Sequence, residues 1–267
     1  MTERRFGAHV ALRTHGRKGA VAEVVLDRPQ AMNAISTDMA DALADACAVL
    51  AEARSVSAVV LTSTGERAFC VGADLKERNS FTDTDLARQR SRMRALYSGV
   101  LELPMPTVAA VHGFALGAGY ELALACDVIV ADTTAVVGLP EVSVGLIPGG
   151  GGTHSLPCRV GAARAAQLIF TARRVPAHEA FVLGLVDVMA DQGGDRSDAL
   201  ALATEMAAHS PVGLRAAKRA LRQGRGADLH SALAVEDAAW HAAAFSGDRA
   251  EGIAAFNERR TPDWPGE

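Results

Sequence analysis

The sequence predicts an α/β core followed by a helical region, and two observations carry that reading. Short apolar runs, AVAEVVLDRP (20–29), SAVVLTS (57–63), TVAAVHG (107–113) and DVIVAD (127–132), alternate with helix-like stretches up to about residue 190. After the Gly-rich acidic break DQGGDRSD (191–198) no strand pattern follows. Instead ALALATEMAAH, VGLRAAKRALRQG and LHSALAVEDAAWHAAAF read as amphipathic helices, with a last short helix ending near ERRTPDWPGE. The boundary therefore falls between a core of residues 1–195 and a helical region of 196–267.

Taken in order, a short N-terminal strand candidate precedes the alternating, β-branched run 20–29, which stops at Pro29. Ser36 introduces a helix in which Met39, Leu43, Cys47 and Leu50 recur at about helical spacing. The run 57–63 and its two later counterparts are short and apolar throughout, as strands buried on both faces are. The stretch RQRSRMR (88–94) reads as the solvated side of a helix.

With 267 residues, 49% hydrophobic and 22% charged, the chain is long and apolar enough to bury a sizeable core. A net charge of −4 and 4% aromatics give no basis for nucleic acid or an anionic membrane as partner. Four cysteines, at 47, 70, 126 and 158, form no C-x-x-C; three lie in apolar runs and read as small buried hydrophobes of a reducing compartment. No apolar stretch reaches membrane-spanning length and no secretory signal is seen, so a soluble, cytoplasmic protein is expected.

Several chemistries are missing. PGGGGTH (148–154) is not a P-loop, GAGYEL lacks the third glycine of a dinucleotide fingerprint, and His178-Glu179 opens no zincin motif. EVSVG (141–145) lacks the first glycine of a nucleophile elbow. Eight histidines are scattered without metal spacing, and no metal site is expected. His154 reads as a helix N-terminal residue bonded to backbone.

What stands out is ALGAGYELALACD (115–127), in which Glu121 enters an apolar helix directly after a Gly-Ala-Gly turn. The N–H groups of the first turn lack intrahelical partners and make a positive end suited to a developing oxyanion. A second isolated carboxylate, Glu141, lies in GLPEVSVG. Each alone reads equally well as a paired structural charge or a cap; together they are candidates for general acid and base. A third small-residue turn, AFCVGADLKE (68–77), brings Gly72 and Ala73, with Asp74 expected to cap the following helix.

These motifs resemble the crotonase (enoyl-CoA hydratase/isomerase) superfamily over essentially the whole chain. The matching stretches are LDRPQAMNAIS (26–36), RAFCVGADLKER (67–78), PTVAAVHGFALGAGYELALACDVIVAD (106–132), GLPEVSVGLIPGGGGT (138–153) and DRAEGIAAFNERRTPDWPGE (248–267). Within it, ADLKER, ELALACD, IPGGGGT and the tail look most like the methylglutaconyl-CoA hydratase branch. The resemblance implies a crotonase-like core of repeated β-β-α units and a C-terminal helical region used in trimer assembly, often doubled to a hexamer. It places Glu121 and Glu141 at the two catalytic positions, and Val71 and Ala118 at the backbone oxyanion hole. Gln30, Met32 and Ala34 would line the CoA pocket, with Gly72, Ala73, Asp74 and Gly149 near the substrate.

The implied activity is hydration of a short or branched enoyl-CoA, with coenzyme A as part of the substrate and no other cofactor. Double-bond isomerisation, or other enolate chemistry on the CoA thioester, is the alternative; a catalytically weak scaffold fits less well, since both glutamates and the glycine turns are kept. The sequence departs from the pattern at Val71, where a smaller residue is usual, and at Ala118, which replaces a common glycine. Ser155 and Cys158 stand where arginines are expected, with Arg159 as a partial substitute. Some members of the branch bind RNA through a lysine-rich helix; the equivalent helix, 37–55, has acidic residues and no lysine. RNA binding is therefore not expected. The acyl pocket is assigned to the 81–103 region, whose side chains the sequence leaves unread.

Overall fold

Runs with no polar face become the centre of a seven-stranded sheet. The computed structural model describes residues 3–16 and 19–267. β1 (Glu3–Phe6), β2 (Val10–His15) and β3 (Val21–Leu26) form an antiparallel meander. β3 then pairs in parallel with β4 (Ala58–Ser63), with Val21 opposite Ala58, and the sheet continues through β5 (Thr107–Val111), β7 (Val128–Asp132) and β10 (Val188–Ala190). A smaller sheet holds β6 (Phe114–Leu116), β8 (Val136–Gly138) and β9 (Arg174–Pro176).

The alternation in 20–29 suggests a strand with two unlike faces, yet every residue of β3 is buried. One face packs Ala22, Val24 and Leu26 under α1 (Thr37–Glu52), whose Met39, Leu43, Cys47 and Leu50 point inward as their spacing requires. The Ser36 side chain caps that helix by accepting from the Met39 N–H. On the other face Val21, Val60, Val108 and Val130 meet Ala199 and Ala203 of α8 (Asp195–Ala207). Thus α8 belongs to the sheet, and the boundary expected at 195/196 falls at the start of a core helix.

The connections build the repeat that positions the site. β5 lies in the large sheet, β6 in the small one, and α4 (Ala118–Ala125) follows. β7 and β8 repeat this and lead through a 3-10 turn, Glu141–Val144, to α5 (Gly152–Val160) and α6 (Ala162–Phe170). After β4, residues 68–70 bridge to Gly113 and Ala115 beside β6 and lead to α2 (Leu75–Arg78) and α3 (Asp83–Leu101). These are the β-β-α units that the resemblance implies.

After α7 (Ala177–Leu183) and β10, all further described elements are helices: α8, α9 (Pro211–Gln223), α10 (Leu229–Ala244) and α11 (Gly247–Glu258). Asp127 anchors α9, accepting from Lys218 at 2.8 Å and Arg222 at 2.7 Å. Cys47, Cys70 and Cys126 are buried, and burial pushes each thiol up to about 12. Among the described residues no helix is long and apolar enough to cross a membrane.

Candidate active site

The site begins where α4 meets the turn after β4. Gly117 takes φ 54°, and its N–H is already bonded to the Gly138 carbonyl at 2.9 Å. Gly119 allows a very close approach: a Cβ there would lie 2.1 Å from the Cys70 oxygen. Cys70 in turn donates to Phe114 O and accepts from Leu116 N, so the 70–73 segment is fixed against the start of α4. A Cβ on Gly72 would lie 3.3 Å from the Ala118 nitrogen.

Which N–H groups are free follows from this register. The Val71 N–H donates to the Met32 carbonyl at 3.2 Å, because the chain at Met32 and Asn33 turns through left-handed backbone and returns toward it. Val71 is therefore not an available donor, contrary to the assignment made from its position in the motif. Among the described residues, no acceptor engages the N–H of Ala73 or of Ala118. Ala118 does not adopt positive φ, so its methyl in place of a hydrogen imposes no backbone strain.

Glu121 is 3% exposed and accepts from Gly150 N at 2.7 Å, Gly152 N at 2.8 Å and Gly149 N at 3.3 Å. The glycine run makes this cradle possible, since a Cβ on Gly152 would lie 2.9 Å from a Glu121 oxygen. Burial raises the Glu121 pKa, and the three N–H groups oppose that without cancelling it. Glu141 is held differently. Both its carboxyl oxygens are buried with no hydrogen-bond partner among the described residues. Burial, together with the Glu121 charge, pushes its pKa up to about 7. A Cβ on Gly117 would sit 3.1 Å from Glu141 Oε1, so this carboxyl faces the first turn of α4.

Both glutamates open onto one cleft of about 990 Å³, which Met32, Val71, Gly72, Ala73, Ala118 and Gly149 also line. Three of the residues expected near substrate lie elsewhere. Gln30 is exposed outside the lining and Ala34 is buried behind the loop. Asp74 caps α2 through Lys76 N and Glu77 N and pairs with Arg28 at 2.6 Å. In the substituted loop Arg159 bonds Asp187, while Cys158 is exposed. His154 faces a second cavity of about 720 Å³, beside α9. Among the described residues no group of three or more His, Cys, Asp or Glu is placed to hold a metal ion.

Helix α3 supplies what the sequence left unread. Leu86, Arg90, Met93 and Tyr97 recur along one face and line the cleft, whereas Arg88, Arg92 and Arg94 are exposed outside its lining. The stretch 88–94 is thus only partly solvated, and Gln89 and Met93 are buried. Tyr97 donates to the Ala118 carbonyl at 3.3 Å, and burial raises its pKa. The i, i+4, i+7, i+11 spacing was the available signal for this face.

A family model described as enoyl-CoA hydratase/isomerase matches residues 16–267. The human protein named enoyl-CoA hydratase domain-containing protein 2, mitochondrial, is 41% identical over 256 residues, covering 94% of this chain and 88% of that protein. Rat mitochondrial methylglutaconyl-CoA hydratase is 40% identical over 246 residues, covering 91% and 78%. The crystal structure of an enoyl-CoA hydratase from Bacillus anthracis superposes with a TM-score of 0.94 at 36% identity, covering 97% of this chain and 100% of that one.

Proposed function

The chain belongs to the enoyl-CoA hydratase/isomerase family, and from that premise we propose that it adds water across the α,β double bond of a short or branched enoyl-CoA. The observation that carries the reading is one cleft holding two unlike buried carboxylates beside two unengaged backbone donors. The thioester oxygen is received by the N–H groups of Ala73 and Ala118. Glu121, gripped by three N–H groups that favour its ionised form, orients a water and takes its proton as the oxygen attacks Cβ. Negative charge passes to the thioester oxygen, where loss of one donor typically costs about 2.7–4 kcal/mol of barrier. Glu141, whose buried carboxyl favours the protonated form, delivers its proton to Cα. A proton is gained at Glu121 and lost at Glu141, and exchange between them or with solvent resets the pair.

Isomerisation needs only a proton shuttle between two carbons, so a second carboxylate held for water supports hydration over it. The scheme calls for no metal or redox group. Met32 supports a CoA-binding role for the 28–34 loop, since it alone of the three residues assigned there lines the cleft. Exposed Trp240, Phe245, Ile253 and Phe256 on and beside the last two helices support self-association as a trimer or hexamer, which light scattering after gel filtration would test. The branch resemblance makes 3-methylglutaconyl-CoA the first acyl group to compare with crotonyl-CoA.

The test follows the ultraviolet absorbance of the conjugated thioester with both substrates, for the wild type, Glu121→Gln and Glu141→Gln. Loss of the chromophore that either substitution abolishes supports hydration. A protein that binds CoA thioesters but never bleaches the chromophore is not a hydratase, and isomerisation moves to the front.

A further inference from the structure

The cleft has a neighbour. The second cavity, of about 720 Å³ beside α9, shares two lining residues with it, Tyr97 and Gly150. Two chain segments run past this divide. Along α3, Met93 lines the cleft, Tyr97 lines both cavities, and Leu101, one turn further on, lines the second alone. In the glycine run Gly149 lines the cleft, Gly150 both, and Gly151 the second cavity alone. The partition is therefore the place where α3 meets the glycine run, and one side chain fills it.

That side chain is held from two directions. A Cβ on Gly150 would run into Cζ, Cε1 and Cε2 of Tyr97, so the ring lies directly on the glycine backbone. The hydroxyl donates to the Ala118 carbonyl at 3.3 Å. Ala118 opens α4 and Gly150 donates to Glu121, so the ring reaches from the turn assigned to the thioester oxygen to the cradle of the water-activating carboxylate. Behind it the space suits an apolar tail. Buried Leu103, Ala125 and Ala216 line the second cavity, and two of its cations, Lys218 and Arg222, are paired with Asp127. Half-buried Ser155, in place of the arginine expected there, leaves its α5 wall low.

We propose that the Tyr97 ring is the stop that sets acyl length: the acyl group runs along α3, ends at the ring, and is shut out of the apolar space behind it. This deepens the hydratase reading, on which it rests for the class of substrate, by naming the side chain that keeps the acyl group short.

Dissociation constants of butyryl-CoA and decanoyl-CoA are measured by calorimetry for the wild type, Tyr97→Ala and Tyr97→Leu. Both thioesters are saturated, so the result is readable even if hydration fails. The wild type should bind butyryl-CoA at least as tightly as decanoyl-CoA, because the added methylenes find no cavity. Each variant should shift that ratio toward decanoyl-CoA by about ten-fold or more, as burial of several methylenes predicts. Leucine keeps the partition apolar and partly filled, so the test does not depend on the alanine variant folding. Adding Ser155→Phe to either variant should refill the second cavity and cancel the shift. A wild type that binds decanoyl-CoA the more tightly overturns the proposal, as do Tyr97 variants that change both ligands in step. A shift that survives Ser155→Phe sends the tail elsewhere and removes the second cavity as the space being guarded. Binding of neither thioester by the wild type would sink the reading of the cleft itself, and the stop with it.

Discussion

Glu23 and Glu141 are both acids taken out of water, yet they are held in opposite ways. Glu23, in the middle of β3, is fully buried and lies between Arg196, bonded through Nε and Nη2, and His15 at 2.8 Å. Burial pushes its pKa up, but those partners more than offset it and the net direction is down. Asp127 follows the same rule with Lys218 and Arg222. In the cleft the rule is inverted: among the described residues Glu141 has no hydrogen-bond partner and Glu121 is bonded by backbone N–H groups, and both pKa values rise. Paired acids hold α8 and α9 to the sheet, whereas burial raises the pKa of both cleft acids and brings that of Glu141 to about 7. The difference lies in the company each acid keeps, as depth alone does not separate them.

The comparison breaks first if the unpaired acids prove inert. Glu141→Gln should lower hydration of the enoyl thioester about 10²–10⁴-fold with the circular dichroism spectrum unchanged. A variant within a few-fold of wild type would make Glu141 a bystander. From the other side, Asp127→Asn leaves Lys218, 6% exposed, without its counter-charge. Urea unfolding should show a loss of about 3–5 kcal/mol, as expected when one partner of a buried pair is removed. Unaltered stability would remove Asp127 from the paired class.

A pH series sharpens the contrast. Glu141 ionises near 4.5 when unfolded and near 7 in the fold. Its neutral form thus favours the fold, and that contribution, complete below 4.5, is lost as pH rises through about 7. Glu141→Gln should therefore melt a few degrees above wild type at pH 8, about 2–4 °C per kcal/mol, with the gap closing by pH 5. In wild type, kcat/KM should fall as pH rises past about 7 and fall again on the acid side as Glu121 protonates, with apparent values that belong to the pair. The smallest effect belongs to Tyr97→Phe, which removes one hydrogen bond to the Ala118 carbonyl. It should cost about 0.5–1.5 kcal/mol in unfolding free energy.

Local signals carried much of this into the sequence. Ser36 and the spacing of Met39, Leu43 and Cys47 announce α1, and the Gly-Ala-Gly turn announces α4 and the burial of Glu121. What stayed hidden depends on partners far along the chain. The alternation of 20–29 could not show that α8 would cover its second face and supply Arg196 to Glu23. Val71 and Ala73 are equivalent as donors in the sequence. Only the return of the chain at Met32 engages one and leaves the other open. In the same way Arg90, inside the stretch 88–94 that reads as solvated, is given its direction only by the Gly149 carbonyl far along the chain.

The donors assigned to the thioester oxygen belong to the main chain, and their placement is fixed by a contact so tight that only glycine fits at position 119. That has an evolutionary consequence. No single codon change can delete a peptide N–H, short of introducing proline, whereas every side chain around the oxygen is open to drift. A lineage carrying this cradle can therefore exchange glutamates and remodel α3 while keeping the polarising centre. Selection would act most strictly at Gly119, a residue with no side chain to contribute to the reaction.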